Sequence, residues 1–405
     1  MELLSPAGTM EKLKTALYFG ADAVYLAGKT HGLRAFAGNF SNDELKEASK
    51  LVHSLGKKMY VTVNIVAHNA DFEGLEDYLK FLYEIKVDAI IVSDVGIINL
   101  ARKVVPNLDV HVSTQANVTN LYAAQFFASL GVKRIVLARE LSLKEIKEIK
   151  DALPKDVELE SFVHGAMCIS YSGRCLLSNY FRGRESNKGA CVQACRWAYQ
   201  IKEVNSNDSY PIEEDERGTY ILNSKDLCLI KHLKELEDAG ICSLKIEGRM
   251  KSVYYVANVT NAYRLALDNI KNKKLIDKLY LETEKSSHRQ YTTGFYFKED
   301  NKEITEYLQD STPVQSYDMV AVVTEKIDKK HIEIEQRNMF KVGDELEVLS
   351  PNLKTFNKTF VVKEIKDLDG NFVDDARKVQ QKLILQCSLN LNAGDILRKK
   401  TAKTQ

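Results

Sequence analysis

The chain has 405 residues, of which 44% are hydrophobic and 28% charged, and its 57 Lys and Arg balance 56 Asp and Glu. This length favours two or three domains, and the composition excludes collagen-like, low-complexity and wholly disordered chains. The net charge of +1 excludes a uniformly basic nucleic-acid coat but allows one basic face. No secretory signal pattern and no apolar run of membrane-helix length is visible, so the sequence predicts a cytoplasmic protein.

The first part of the chain alternates short β-branched runs with amphipathic segments. This alternation predicts an α/β fold, a TIM-type (β/α)8 barrel over residues 1–270, with an open doubly wound sheet as the alternative. The predicted strands are 2–4, 23–27, 58–64, 89–93, 110–114, 134–138, 157–163 and 243–247, and the predicted helices are 9–19, 41–55, 72–85, 122–130, 142–152, 224–239 and 253–268. Ser142 followed by Glu145 resembles a capping box at a helix start.

One βα step is much longer than the others. Residues 165–221 are predicted to be a Cys-rich insertion after the seventh strand, at the end of a barrel where catalytic groups lie. Residues 271–316 are predicted to be a connector, and the period-two pattern over 317–400 predicts a small C-terminal β-barrel domain. Its predicted strands are 319–324, 331–335, 345–349, 359–365 and 382–386. The basic residues 398–403 predict a solvated tail.

Four cysteines lie close together in the insertion, with the spacing C-x6-C-x15-C-x3-C: Cys168, Cys175, Cys191 and Cys195. Four thiolates in one loop are typical of an all-cysteine metal site. The wide, uneven spacing favours an iron–sulfur cluster, with structural zinc or free thiols that include one reactive cysteine as alternatives. Cys228, Cys242 and Cys387 lie on predicted helix or strand positions and are expected to be buried, although Cys228 could substitute as a ligand.

The same insertion is rich in basic and aromatic residues. Basic side chains can hold phosphates while aromatic faces stack on unpaired bases, so this pattern indicates an RNA-binding surface. An ordinary charged loop is the alternative. The candidate RNA-binding residues are Arg174, Tyr180, Arg182, Arg184, Lys188, Arg196 and Trp197.

Polar residues lie at or just beyond the ends of most predicted strands. The carboxyl ends of barrel strands meet at one mouth, so these side chains are expected to converge on a cavity. Arg139 and Arg249 could clamp a carboxylate, and His164 could serve as an acid/base or as a neighbour of the cluster. The candidate catalytic residues are Asn64, His68, Gln115, Arg139, Glu140, Glu160, His164, Lys245, Glu247 and Arg249, and further polar residues at strand ends are Ser5, Asn69, Ser93, Asp94, Ser113 and Asn117.

The stretch from Glu160 to Ser178 matches the pattern E-x-F-x2-G-[SA]-[LIVM]-C-x4-G-x-C-x-[LIVM]-S at every fixed position. This pattern is the signature of peptidase family U32, often labelled collagenase-like, and the sequence resembles that family over nearly its whole length. The other segments that carry the resemblance are LLSPAG at 3–8, GADAVY at 20–25, VNIVAHNA at 63–70, ARELSL at 138–143, GTYILNSKDL at 218–227, SLKIEGR at 243–249 and YTTGF at 291–295.

Within the family, the GTYILNSKDL and CVQACRW segments are similar to a branch associated with tRNA hydroxylation. The resemblance implies oxygen-independent conversion of the wobble uridine to 5-hydroxyuridine, with prephenate as hydroxyl source and the tRNA anticodon region as partner. It also implies a 4Fe-4S cluster held by the four clustered cysteines. The family label implies a peptidase as the alternative, and His164 with a neighbouring cysteine is the nearby nucleophile–base pair, although a cysteine that binds a cluster cannot also attack a peptide. A non-catalytic RNA-binding protein is a third possibility.

Overall fold

The computed structural model describes residues 1–29, 38–167, 177–182, 192, 214–215, 218–219, 225–297 and 314–401. The chain divides into two compact units. The first comprises Met1–Leu17, Ala21–Lys251 and Arg289–Thr312, and the second comprises Tyr18–Gly20, Ser252–His288 and Pro313–Gln405. No helix within the described ranges is long and apolar enough to cross a membrane.

The first unit is built on parallel strands that follow one another around a barrel. The first seven are β1 (Glu2–Pro6), β2 (Ala23–Leu26), β3 (Lys58–Val63), β4 (Ala89–Val92), β5 (Asp109–Val112), β6 (Arg134–Val136) and β7 (Glu158–Ala166). Each strand pairs in parallel with the next one in the chain. Their side chains are buried on both faces, which explains why the strands read as continuous apolar runs in the sequence.

Helices alternate with these strands. They are α1 (Met10–Tyr18), α2 (Asn42–Ser54), α3 (Leu75–Glu84), α4 (Val95–Val104), α5 (Leu121–Ser129) and α6 (Leu143–Ala152). The predicted capping box of α6 is confirmed, because Glu145 N donates to Ser142 Oγ at 3.3 Å and Ser142 N donates to Glu145 Oε2 at 2.8 Å. Ser41 and Glu44 form the same arrangement at the start of α2.

The chain after β7 departs from the single predicted helix over 224–239. Its described elements are α7 (Leu177–Arg182), the paired strands β8 (Glu214–Asp215) and β9 (Gly218–Thr219), β10 (Asp226–Cys228), a 3-10 turn at Ile230–His232 and α8 (Leu233–Asp238). The helix prediction is wrong in its first half because β10 pairs antiparallel with the end of β7, a partner that the local sequence does not show.

Strand β11 (Ile241–Ile246) closes the barrel. It pairs in parallel with both β7 and β1, which confirms the predicted (β/α)8 fold. A short strand, β12 (Tyr291–Thr292), pairs with β10 and extends the sheet outside the barrel. The eight barrel strands therefore place their carboxyl ends at one mouth, beside β10 and β12.

The second unit combines two helices with antiparallel strands, and the predicted small C-terminal β domain is confirmed. The helices are α9 (Val253–Asp268) and α10 (Lys273–Thr283), and the strands are β13 (Tyr317–Lys326), β14 (His331–Gln336), β15 (Phe340–Lys341), β16 (Glu345–Leu349), β17 (Thr359–Val361), β18 (Ile365–Lys366), β19 (Asp375–Ala376), β20 (Lys382–Gln386) and β21 (Ile396–Lys400). Seven of them form one sheet in the order β17-β16-β21-β13-β14-β20-β18. The sheet packs around an apolar core that includes Val320, Ile334, Val348 and Leu385.

Residues 252–288 lie in the second unit, although their sequence predicts a place partly in the barrel and partly in a connector. The reason is visible in α9, where Tyr254 and Ala257 pack with Leu349 and Ile396 of the sheet. Helix α10 occupies part of the expected connector, and its Ile276 and Leu279 are buried.

The prediction of a basic solvated tail over 398–403 is wrong for its first residues, because Arg398 lies in β21 and is completely buried. Its Nη1 lies 2.5 Å from Glu282 Oε1 and its Nη2 lies 2.5 Å from Glu347 Oε1. Both carboxylates come from distant parts of the sequence, so the local run of basic residues gives no sign of them.

Candidate active site

A chain of ion pairs runs through the interior of the barrel. Glu160 on β7 is completely buried, with Oε2 3.0 Å from Arg134 Nη1 and Oε1 3.0 Å from Lys245 Nζ. Ser243 Oγ donates to Oε2 of Glu160 at 3.0 Å. Arg134 Nη1 also lies 2.6 Å from Glu2 Oε1. These side chains come from β1, β6, β7 and β11, and together we call them the interior ion-pair network.

The interior ion-pair network keeps Glu160 ionised. Burial raises the pKa of this carboxyl, but Lys245 and Arg134 outweigh burial and lower the pKa from 4.5 to about 2. The nearby His111 on β5 is neutral, because burial and the charge of Arg134 hold its pKa well below its usual range. Because Glu160 is ionised, Arg134 and Lys245 each lie against a charged carboxylate inside the barrel.

An open cavity lies at the carboxyl ends of the barrel strands. We call it the barrel-mouth cavity, and it is lined by Tyr25, Thr62, Asn64, Ile91, Ser113, Thr114, Gln115, Phe162, Lys245, Glu247 and Arg249. Lys245 joins this cavity to the network below, with Nζ 4.5 Å from the centroid of the Tyr25 ring and 5.4 Å from that of Phe162. Most of the lining residues are polar or charged, and Tyr25, Ile91 and Phe162 add apolar surface. Polar groups that converge beside apolar side chains are found in small-molecule sites.

Ser113 Oγ holds the side chain of Asn64 and the backbone of Gln115 on one side of the cavity. Asn64 Nδ2 donates to Ser113 Oγ at 3.2 Å, and the backbone N–H of Gln115 donates to the same oxygen at 3.2 Å. The backbone carbonyl of Asn64 accepts a hydrogen bond from Ser93 Oγ at 3.1 Å. Within the part of the chain that the structure describes, Asn64 Oδ1 and Gln115 Oε1 are buried and have no hydrogen-bond partner.

Arg249 is positioned through both its side chain and its backbone. Its Nη1 donates to Thr62 Oγ1 at 3.1 Å, and only 4% of the residue is exposed. Its carbonyl oxygen accepts a hydrogen bond from Lys12 Nζ at 3.2 Å. A Cβ at Gly8 would lie 2.5 Å from that carbonyl oxygen, so this close approach requires glycine. The LLSPAG segment therefore helps to place a cation at the mouth.

Residues 8–306 match the sequence profile of peptidase family U32, and residues 315–398 match that family's C-terminal domain. The chain belongs to peptidase family U32. It is 41% identical over 403 residues to tRNA hydroxylation protein P1 of Bacillus subtilis, which covers 98% of this chain and 94% of the relative. It is 37% identical over 410 residues to tRNA hydroxylation protein P of Escherichia coli, and the alignment covers 91% of this chain and 90% of that protein. It is also 40% identical over 270 residues to the 23S rRNA 5-hydroxycytidine C2501 synthase of Escherichia coli, covering 67% of this chain and 40% of that protein.

The structure of this U32 protein brings together half of the predicted catalytic residues. Those that line the barrel-mouth cavity are Asn64, Gln115, Lys245, Glu247 and Arg249. Glu160 lies beneath them, bound to Lys245. Sequence reasoning missed the walls, Tyr25 and Phe162, because residues inside a continuous apolar strand give no sign of which face they share. It also missed Arg134, whose position as a charged residue opening a buried strand was the available signal.

Besides Glu160, four predicted residues lie outside the lining. Arg139 Nη1 donates to the Ala166 carbonyl at 2.8 Å, and its guanidinium lies 5.4 Å from the Phe162 ring centroid. Burial raises the pKa of the neighbouring Glu140. The His164 ring packs edge-on against Tyr291 at 5.3 Å, and its backbone carbonyl accepts from Glu247 N at 2.9 Å. His68 is exposed at the start of a short 3-10 helix, where its N–H donates to Asp71.

Most of the predicted insertion residues lie outside the described residues. These are Cys168, Cys175, Cys191 and Cys195, together with Arg174, Arg184, Lys188, Arg196, Trp197 and the side chain of Tyr180. Arg182 is described, at the exposed end of α7. Cys228 and Cys387 are buried as expected, and Cys242 is half-buried, donating to the Leu159 carbonyl. Among described residues, no group of three or more His, Cys, Asp or Glu could hold a metal ion.

A Ser–His–Asp sequence of contacts lies between α2 and the start of β4, and the family label makes it worth testing as a peptidase site. Ser49 Oγ lies 3.3 Å from His53 Nδ1, and His53 Nε2 lies 2.9 Å from Asp88 Oδ2. Ser49, however, is only 3% exposed and donates its hydroxyl proton to the Ile85 carbonyl at 2.6 Å. Its proton is therefore directed away from His53, and a peptide carbonyl cannot reach its oxygen.

We expect Ser49→Ala to leave any peptide hydrolysis by the purified protein at the wild-type level, because the Ser49 hydroxyl serves the packing of α2. Hydrolysis of fluorescent casein and gelatin would be measured for both proteins. Ser54→Ala is the matched control, since Ser54 is an exposed serine on the same helix that donates to the Leu51 carbonyl. Loss of hydrolysis in Ser49→Ala alone would identify Ser49 as a nucleophile and contradict this assignment.

Proposed function

We propose that this chain is a tRNA-modifying enzyme that hydroxylates the wobble uridine to 5-hydroxyuridine without molecular oxygen. The observation that carries the proposal is its similarity, over nearly its whole length, to two proteins named for tRNA hydroxylation. The relative named as a 5-hydroxycytidine synthase supports the wider chemistry of placing a hydroxyl group on a pyrimidine in RNA. The barrel-mouth cavity is the candidate site for this chemistry, because catalytic groups of such barrels lie at the carboxyl ends of the strands.

A 4Fe-4S cluster is the proposed cofactor, with Cys168, Cys175, Cys191 and Cys195 as its ligands. Four thiolates are the donor set that such a cluster takes. Strand β7 reaches the barrel mouth at Ala166, Met167 is buried beyond it, and Cys168 is the next residue in the sequence. When bound, the cluster would supply electron transfer at a potential that its surroundings set.

Prephenate is the proposed hydroxyl source. A dicarboxylic acid needs cationic partners with matching geometry. Arg139 supports this part of the proposal, because its Nε is buried without a hydrogen-bond partner in the described part of the chain and its guanidinium stands over Phe162, a wall of the cavity.

The anticodon region of tRNA is the proposed partner. The described helix α7 exposes Phe181 and Arg182 side by side, an aromatic and a cation of the kind that hold a base and a phosphate. They belong to the same basic and aromatic insertion as Arg174, Tyr180, Arg184, Lys188, Arg196 and Trp197.

The test combines metal analysis of the protein with nucleoside analysis of tRNA. Protein purified without oxygen is expected to carry about four irons and four sulfides per chain, and Cys168→Ala and Cys191→Ala are expected to lose them. Cys387→Ala is the matched control, because this thiol is buried in the second unit. A strain lacking the gene should lose 5-hydroxyuridine from its tRNA and regain it with the wild-type or Cys387→Ala gene, but not with Cys168→Ala. Stoichiometric zinc would reject the cluster, and unchanged 5-hydroxyuridine in the deletion strain would reject the proposed function.

A further inference from the structure

We infer that the barrel-mouth cavity binds one extruded pyrimidine base of the RNA and that Gln115 binds the edge of that base. This inference rests on the proposed function, which supplies an RNA substrate, and it assigns the cavity to the base rather than to the small acid. An enzyme that modifies a base must first take the base out of its stack and hold it in a pocket.

The first argument concerns two buried oxygen atoms of the lining that lack a hydrogen-bond donor in the described part of the chain. Asn64 Oδ1 and Gln115 Oε1 are buried acceptors without a hydrogen-bond partner among the described residues, and both residues line the cavity. Buried polar atoms in native proteins almost always have a partner, so these two oxygens favour a ligand that brings N–H or O–H donors. Ser113 fixes the side-chain amide of Asn64 and the backbone from which the Gln115 side chain extends, which is typical of a preorganised site.

The second argument is electrostatic and disfavours an anion. A carboxylate carries only acceptors, so it would leave both amide oxygens unpaired and would also meet the carboxylate of Glu247 in the same lining. The two cations of the lining do not add a net positive charge, because Lys245 Nζ lies 3.0 Å from the ionised Glu160 and the charge of Arg249 is balanced by that of Glu247. The cavity is therefore better matched to a neutral ligand than to prephenate.

The third argument is the shape of the pyrimidine edge. Uracil presents the N3–H donor between two carbonyl oxygens, and a glutamine amide offers an acceptor and a donor side by side, so the two can form a pair of hydrogen bonds. Lys245 Nζ, at the floor of the cavity, has donors left for a carbonyl oxygen after it has bound Glu160. Tyr25, Ile91 and Phe162 supply the apolar surface that a flat ring contacts. Cytosine has an acceptor at N3 and loses the bond to the Gln115 oxygen in this orientation.

The experiment measures binding of short anticodon stem-loop RNAs to the full-length protein purified without oxygen. Three RNAs carry uridine, 3-methyluridine or cytidine at the wobble position; 3-methyluridine replaces the N3–H donor with a methyl group, and cytidine replaces it with an acceptor without adding bulk. We expect the uridine RNA to bind on the order of tenfold more tightly than the other two. Gln115→Leu should remove this preference while keeping similar affinity for the 3-methyluridine RNA. Gln125→Leu, at an exposed glutamine of α5, should keep the preference.

The outcomes separate this inference from the proposed function. If wild-type protein binds the three RNAs equally while the wild-type gene restores 5-hydroxyuridine to the deletion strain, the base site is overturned and the proposed function stands. If the deletion strain keeps its 5-hydroxyuridine, the proposed function fails, whereas a uridine preference lost in Gln115→Leu still supports the base site. If prephenate alone binds to wild type and not to Gln115→Leu, the cavity is an acid site and the inference is overturned.

Discussion

We expect Glu160→Gln to lower the stability of the barrel by about 3 kcal/mol, which corresponds to a fall of roughly 6–12 °C in the unfolding temperature of a unit of this size. Glu160 is completely buried and is the carboxylate that Lys245 and Arg134 share. A neutral glutamine leaves those two cations buried with less compensating charge, and an unpaired buried charge is strongly destabilising. Thermal unfolding of the full-length protein would measure the change.

Glu158→Gln is the matched control for this prediction. Glu158 lies on the same strand and its Oε2 is 2.6 Å from Arg134 Nη2, but its side chain is 34% exposed. Water therefore screens its ion pair, and Glu158→Gln is expected to lower the free energy of unfolding by less than about 1 kcal/mol. Lys245→Met combined with Glu160→Gln should cost less than the sum of the two single variants, because the double variant removes the uncompensated ammonium. Additive losses would show that the two charges are not coupled.

The contribution of Glu160 also depends on pH in a defined direction. Its pKa is lowered from 4.5 to about 2 in the folded protein, chiefly by Lys245 and Arg134 acting against burial. A lowered folded-state pKa means that the stabilisation is complete above about pH 4.5 and is lost as the pH falls toward 2. The difference in unfolding temperature between wild type and Glu160→Gln should therefore be constant near neutral pH and narrow below about pH 4.5. A difference that widened on acidification would contradict the assignment.

Local composition predicts the barrel because each of its strands is buried on both faces, so a short β-branched run identifies a strand without knowledge of its neighbours. It fails where the partner decides the structure. The local sequence of Asp226–Cys228 predicts a helix, but this segment pairs with β7 as a strand. The local sequence around Arg398 predicts an exposed basic residue, but Arg398 is buried against Glu282 and Glu347. Elements that long-range pairing determines are therefore the ones that sequence reasoning missed.

The candidate site shows the same division. Asn64, Gln115, Glu247 and Arg249 could be predicted because the topology brings every residue just beyond a barrel strand to one mouth. Topology does not find Arg134, because this residue opens its strand, at the opposite end from the residues that line the mouth. Its charge in a buried strand was a signal, but its role depends on carboxylates from two other strands. The topology thus predicts which residues converge at the mouth. The ion pairs inside the barrel cannot be predicted in this way, because they join residues of different strands whose contacts depend on packing.

Arg398→Met should destabilise the second unit by about 3–5 kcal/mol, because it leaves Glu282 and Glu347 buried without their main cation. Arg398 has no exposed surface, and besides its two ion pairs it donates to Asn258 Oδ1 at 3.1 Å and to Asn357 Oδ1 at 2.6 Å. Burial lowers the pKa of Arg398, but Glu282 raises it above its usual value, so the guanidinium is charged at every pH at which the protein folds.

Hydrogen exchange resolves this effect by strand. In Arg398→Met, amides of β13, β16 and β21 should lose protection, whereas those of the barrel strands β3 to β5 should keep theirs, because every partner of Arg398 belongs to the second unit. Lys399→Met is the matched control on the same strand, since Lys399 is 37% exposed and its ion pair with Asp344 is open to water. Adding Glu282→Gln to Arg398→Met should restore part of the lost protection by removing the stranded carboxylate. Equal losses in Arg398→Met and Lys399→Met would show that burial of the ion pair adds nothing, and would contradict the role assigned to it.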